Sequence, residues 1–458
     1  MAPDEQAAPD VEDRLALFTD LYELSMLQAY FEEGLHDSAV FTLFVRRVPE
    51  RRNYLLACGL DTVLEQLEGL RFSRADLDYL AGLDRFSDCF LQWLESFRFT
   101  GEVRAVQEGT PVFANEPILE VRAPLPEAQL VETLIMNQIH LQTVQATKAA
   151  RLVTAAQGRD VVDFGARRMH GLDAAVKGAR AFHVAGVAST SNVLAGKRYG
   201  IPVSGTMAHS YIQAHDDEAA AFAAFAGLYP ETVLLVDTYD TLAGVRQVID
   251  LARRLGDRFR VRAIRLDSGD LGQLARDARA MLDAAGLERV GIFASGGLDE
   301  HVVAGLLAAG APIDAFGVGT SMGISTDVPD LDIAYKLAEY AGEGRLKLSS
   351  GKPILPGGKQ IFRRRDGAHF SGDTIAREDE SLPGEPLLQP VMREGRRLSG
   401  HVRDLAALRE HARQQLQSLP PEIRGIEPAA GPYPVAVSDA LQSHQAAVTR
   451  AIRARHAE

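Results

Sequence analysis

Short apolar runs recur through the middle of the chain, and a cluster of polar residues and glycine closes nearly every one. The runs are Val161–Phe164, Phe182–Val187, Ile201–Ser204, Val233–Asp237, Val261–Leu266, Val290–Phe293 and Ile313–Val318. Stretches with helical apolar spacing separate most of them, as over Thr241–Leu255, Asp270–Ala285 and Asp299–Ala309. This alternation predicts parallel strands joined by crossover helices. Seven such runs fit an irregular α/β barrel of the TIM type with one unit irregular or missing; an open doubly wound sheet is the alternative. The closing clusters favour the barrel. They include Asp163–Arg168, Ala188–Asn192, Gly205–Ser210, Asp237–Asp240, Asp267–Asp270, Ser295–Gly297 and Gly317–Ser321. In a barrel they converge on the C-terminal face, where active sites sit. In an open sheet they spread along a line.

The flanks are patterned differently. Residues 14–130 mix helix and strand without regular alternation. Helices are expected over Leu15–Phe31, Thr62–Leu67 and Asp76–Leu83, a strand over Ala39–Val45, and strands joined by turns over Gly101–Val121. One long helix is expected over Leu130–Ala156. From residue 336 onward the chain is rich in turn residues and basic side chains. There Lys347–Lys352 and Leu355–Gln360 read as loops, and Arg403–Leu419 and Leu441–His456 as helices. The expected domains are a disordered leader over 1–13, an N-terminal α+β domain over 14–130 and the barrel over 131–335. A C-terminal region over 336–458 packs back on the barrel and the N-terminal domain.

Composition narrows the function classes. The chain has 458 residues, 46% hydrophobic and 24% charged, as in globular proteins. A formal net charge of -13 argues against non-specific nucleic-acid binding and an anionic membrane partner. Two cysteines, Cys58 and Cys89, form no CxxC pair, so neither a disulfide framework nor a cysteine-based zinc site is expected. With an acidic start that lacks an apolar stretch, this points to a reducing, cytoplasmic setting.

Several strand-end clusters carry chemistry. His209 follows a short strand, and a histidine there serves as phosphoryl carrier or acid–base group, or simply bonds its loop. Arg265 and Asp267 lie two apart on an extended segment and so point to one side. Asp267 suits ribose hydroxyls or magnesium, whereas Asp270 reads as a helix N-cap. The glycines of Ser295–Gly297 and Gly317–Thr320 suit backbone cradling of a phosphate, or else a tight strand-to-helix turn. Arg167, Arg168 and Phe164 suit an anionic flat ring, or else a surface pair beside a core aromatic. Asp237 and Asp240 read equally as magnesium ligands or caps, and Asp216–Glu218 as solvated helix positions.

Taken together and in order, these motifs resemble the nicotinate phosphoribosyltransferases. The resemblance runs through Thr19–Leu24, Phe44–Arg47, Asp163–Arg168, Thr190–Gly196, Gly205–Ser210, Val236–Asp240, Arg265–Asp270, Ser295–Gly297, Gly317–Thr320 and Lys347–Lys352. It implies the irregular barrel beside an α+β domain built from both chain ends, and a homodimer with active sites shared between subunits. It implies that nicotinate and phosphoribosyl pyrophosphate give nicotinate mononucleotide and pyrophosphate, in NAD salvage. It also implies magnesium, and ATP as co-substrate, coupled through a phosphohistidine at His209.

Carried over by position, Tyr22 from the second subunit and Phe164 sandwich the nicotinate ring. Arg167 and Thr206 lie near it, and Arg265 meets its carboxylate or the donor. Asp267 contacts the ribose, while Gly296, Gly297, Gly319 and Thr320 line the 5′-phosphate site. Lys336 is a candidate for the pyrophosphate. At Ser191, related nicotinamide-using enzymes carry an aspartate, which repels a carboxylate; serine favours the acid. The rival readings are a nicotinamide or quinolinate phosphoribosyltransferase and a non-catalytic phosphate-binding barrel. A barrel aldolase or isomerase is disfavoured, because no expected strand carries a lysine.

Overall fold

The computed structural model describes residues 15–348, 354–399 and 404–455; the expected leader and most of the Lys347–Lys352 loop lie outside them. The chain divides into two units. One gathers the residues up to Thr143, Asp330–Ile423 and Ala429 onward; the other holds Val144–Pro329 and Arg424–Pro428.

The first unit is α+β and draws on both chain ends. Strand Ser38–Val45 lies between Ile333–Tyr340 and Pro117–Pro124, antiparallel to both. Every residue of it after Ser38 is buried, so both faces are covered. The sheet continues through Glu102–Ala105 to Gln389–Arg393. The helix expected over Asp76–Leu83 runs Arg74–Ala81, because Ser73 and Asp76 cap its start reciprocally.

The C-terminal region holds strands where turns are expected, and the expected loop Leu355–Gln360 ends in one of them. Lys359–Asp366 and His369–Arg377 form an antiparallel hairpin. The charged run Arg363–Asp366 hides the strand pattern, yet Arg363 is fully buried. Its guanidinium makes a bidentate bond to Asp373, donates to the Pro111 carbonyl and lies over the Phe370 ring. Glu116 is buried beside this pair. Burial, and then the Asp373 charge, push its carboxyl well above the usual range, against the pull of Arg363.

The native state therefore holds a proton on Glu116 at pH values where the unfolded chain does not, and stability falls as pH rises through that window. Glu116→Gln removes this dependence. Its melting temperature is expected to exceed that of the parent by about 2 °C or more at pH 8, and by less at pH 5, in paired thermal melts.

The second unit holds the parallel strands Asp160–Asp163 (β1), Ser189–Thr190 (β2), Val233–Leu235 (β3), Ala263–Leu266 (β4), Gly291–Ser295 (β5) and Ala315–Val318 (β6). Their order in the sheet is β2-β1-β6-β5-β4-β3. The last strand pairs with the first, which curls the sheet towards a barrel. The curled sheet stays open between its edge strands β2 and β3; at the β2 edge Val203 makes a single bridge to Thr190. This is the irregular α/β barrel expected, with six strands rather than seven.

Two expected strands are corrected. Phe182–Val187 is the end of helix Leu172–Val184 and the turn after it. Its apolar residues are buried on a helix rich in alanine, and Gly186 at φ 114° turns the chain out of it. Ile201–Ser204 makes only the one bridge, since Pro202 has no N–H to give a ladder. Elsewhere the expected helices hold closely: Thr241–Leu255, Leu271–Ala284 and Glu300–Ala308. No helix among the described residues is long and apolar enough to cross a membrane.

Candidate active site

The C-terminal ends of the parallel strands bring most of the expected residues together. Arg265 is the last residue but one of β4 and is nine-tenths buried, at 9% exposure. Its Nη2 donates to the Met207 carbonyl at 2.8 Å, and Nη1 lies 3.5 Å from Ser295 Oγ. Its Nε is buried without a partner, so one donor of the fork stays unused. The guanidinium carbon sits 5.9 Å from the centre of the Phe164 ring. Burial lowers the pKa of this arginine, and nearby Asp267 and Asp237 work against that. A buried cation beside a flat aromatic face suits a planar carboxylate.

Asp267 follows β4, and the two-residue spacing does place it beside Arg265, Nη1 to Oδ1 at 3.7 Å. Ser295 Oγ donates to Asp267 Oδ1 at 2.5 Å. The backbone N–H of Asp267 and the Ser268 hydroxyl both donate to Asp237 Oδ2, at 3.0 and 2.7 Å. Asp237 is therefore no helix cap; that role falls to Asp240, which accepts from Ala243 N–H at 2.7 Å. Asp270 caps its helix as expected. Glu218, expected to be solvated, is buried.

His209 lies in the break between β2 and β3, where no strand fixes the chain. Thr238 Oγ1 is 3.1 Å from its Nδ1, and Asp267 Oδ2 is 3.7 Å from its Nε2. The side chain stays 38% exposed. An imidazole held at one nitrogen, open at the other and set beside a carboxylate is arranged to take and pass on an electrophile.

The glycine loops lie at the ends of β5 and β6. Gly296, at φ 86°, must be glycine: a Cβ there would fall 1.9 Å from the Asp267 carbonyl. Gly297 also has positive φ, and a side chain there would meet only open space. Gly319 packs against the Phe164 backbone, and Arg168 donates to Thr320 Oγ1 at 3.1 Å. Phe164 is fixed by close packing on Gly317 and by Phe293, at 5.8 Å between ring centres.

Other expected residues are joined less directly. Arg167 is exposed but close enough to Arg265 to lower its pKa. Thr206 Oγ1 donates to the carbonyl of Met207, the same carbonyl that Arg265 uses. Ser191 is tied in through its backbone N–H to the Asp163 carbonyl at 2.8 Å. Tyr22 and Lys336 belong to the first unit. There Tyr22 is 49% exposed, and burial and Glu132 raise the pKa of its phenol. Lys336 Nζ lies 3.4 Å from Glu132 Oε1.

Sequence reasoning missed the part played by Ser295 and Thr238. Neither carries a signal of its own, because each acts by reaching a neighbouring strand end.

Comparison with known proteins follows the same lines. Residues 17–140 match the nicotinate phosphoribosyltransferase N-terminal domain, 160–379 the nicotinate phosphoribosyltransferase family, and 383–445 its C-terminal domain. The chain is 58% identical to nicotinate phosphoribosyltransferase PncB2 of Mycobacterium tuberculosis, over 97% of this chain and 94% of that protein. It is 43% identical to the nicotinate phosphoribosyltransferase of Bacillus subtilis, over 82% and 79%. The crystal structure of human nicotinic acid phosphoribosyltransferase superposes with a TM-score of 0.84 at 29% identity, covering 94% of this chain and 99% of that one.

Proposed function

The chain belongs to the nicotinate phosphoribosyltransferase family, and from that premise we propose how its own residues carry out the reaction. Nicotinate and phosphoribosyl pyrophosphate give nicotinate mononucleotide and pyrophosphate, a step of NAD salvage. The pyridine nitrogen attacks the anomeric carbon with its lone pair, and the bond to pyrophosphate breaks with its electrons leaving on oxygen. The nitrogen is already a free nucleophile, so no strong base is needed. What the site must supply is alignment and charge neutralisation.

The observation that carries this reading is the buried, incompletely paired Arg265 beside Phe164 and Asp267. Arg265 takes the nicotinate carboxylate, with Arg167 and Thr206 near it, and Phe164 takes one face of the ring. Tyr22, supplied by a second copy of the chain in a homodimer, takes the other. Asp267, already oriented by Ser295, receives the ribose hydroxyls. Gly296, Gly297, Gly319 and Thr320 hold the 5′-phosphate, and Lys336 the pyrophosphate.

Magnesium fits the donor set. Asp237 Oδ1 is buried without a partner, while its Oδ2 accepts from the Asp267 backbone N–H. Magnesium is commonly held by one or two carboxylates, substrate phosphate and water. Bound there it would offset the charge of the leaving pyrophosphate. ATP is the co-substrate, and His209 takes its terminal phosphoryl group, adding negative charge that helps organise the cation. The proposed setting is the cytoplasm, a reading supported by the sparse cysteines of the chain.

A substrate panel tests the assignment. Nicotinate should be used, and nicotinamide and quinolinate should not. Ser191→Asp should cut kcat/KM for nicotinate about 100-fold, because a like charge then faces the carboxylate. It should leave the rate with nicotinamide equal or higher. Preference of the parent enzyme for nicotinamide or quinolinate would overturn the reading.

A further inference from the structure

The two glycine loops are anchored from behind by one face of one helix. Gln145, Lys148 and Arg151 are spaced three apart on helix Glu132–Ala155, so they share a side. Gln145 Nε2 donates to the Gly323 carbonyl at 3.1 Å, in the short helix Thr320–Gly323 that begins at the Gly319–Thr320 loop. Lys148 is 2% exposed, and its ammonium donates to Asp327 Oδ1 at 2.7 Å, at the end of the same segment. The same ammonium lies 2.6 Å from Glu300 Oε2, and Glu300 opens the helix that follows Gly296 and Gly297. Arg151 Nε donates to the other Glu300 oxygen at 2.9 Å. Burial alone would raise the Glu300 carboxyl; Lys148 and Arg151 outweigh it and hold it below the usual range, ionised.

We infer that Gln145 and Lys148 are positioning residues for the donor's 5′-phosphate: the helix face they share sets the distance between the Gly296–Gly297 loop and the Gly319–Thr320 loop. This rests on reading those loops as the 5′-phosphate site. A buried ammonium shared by two carboxylates is costly to desolvate and returns little net stability. Here it joins the segments behind two loops that must close on one ligand from different strands. Neither residue touches substrate, so each acts through the backbone it holds.

The test is steady-state kinetics on the full-length enzyme with phosphoribosyl pyrophosphate and nicotinate varied separately. Gln145→Met and Lys148→Met are the variants, with Lys148→Arg as the conservative control. Both methionine variants should raise KM for phosphoribosyl pyrophosphate about tenfold or more, with KM for nicotinate within about twofold of the parent. Lys148→Arg should recover most of the loss. Gln145→Met loses one neutral hydrogen bond and keeps the protein folded if Lys148→Met does not.

A purely structural role would lower kcat in step with the folded fraction and leave the KM for phosphoribosyl pyrophosphate unmoved, which would overturn the inference. Thr320→Val separates the two layers. If it raises KM for phosphoribosyl pyrophosphate while the helix variants do not, the anchoring is wrong. If it changes nothing, the phosphate-site reading falls and the inference with it.

Discussion

Replacing Arg265 with methionine is expected to lower kcat/KM for nicotinate by about 100-fold or more, equivalent to ~2.7 kcal/mol of lost transition-state stabilisation. The size follows from burial. The guanidinium is fixed by the Met207 carbonyl and Ser295 before any ligand arrives, so little ordering remains when a carboxylate binds. Removing it leaves the substrate carboxylate without its cation and beside the Asp267 carboxylate, a like charge. The melting temperature should move little, because the arginine's own desolvation cost disappears with it. Kinetics and thermal melts on the same preparation check both halves. A drop in activity that tracked loss of folded protein would remove Arg265 from substrate binding.

The second large effect is at His209. His209→Ala should abolish stimulation by ATP while some ATP-independent synthesis remains. The imidazole is held at Nδ1 by Thr238, sits 3.7 Å from Asp267 and stays more than one-third exposed. Those are the conditions for carrying a group between solvent and site, whereas bond formation depends on the groups that hold the ring and the pyrophosphate. Product measured with and without ATP in the variant decides the matter. Intact coupling would mean that another residue takes the phosphoryl group.

Much of this site was legible in the chain. The apolar runs at β1, β3, β4, β5 and β6 end in the clusters that hold Phe164, Asp237, Asp267, Gly296 and Thr320. The two-residue spacing of Arg265 and Asp267 put them on one side, and they are 3.7 Å apart. What failed did so for physical reasons. Phe182–Val187 is apolar enough for a strand, but the alanines before it belong to a buried helix, and a short run does not tell the two apart. Arg363 sits in a run of charges that gives no sign of burial, yet Asp373 pairs with it in the core. The hydrogen bond from Ser295 to Asp267 crosses between neighbouring strands, and periodicity along one strand says nothing of the next. A strand over Ile201–Ser204 would leave no seam for His209, and only its single bridge at Val203 shows the opening.

The most direct measurement incubates the purified protein with nicotinate, phosphoribosyl pyrophosphate and magnesium, with and without ATP. It follows nicotinate mononucleotide and ADP together. The account predicts product in both cases, more of it with ATP, and ADP released in step with that gain. No nicotinate mononucleotide in either case, or equal product with no ADP formed, would contradict it.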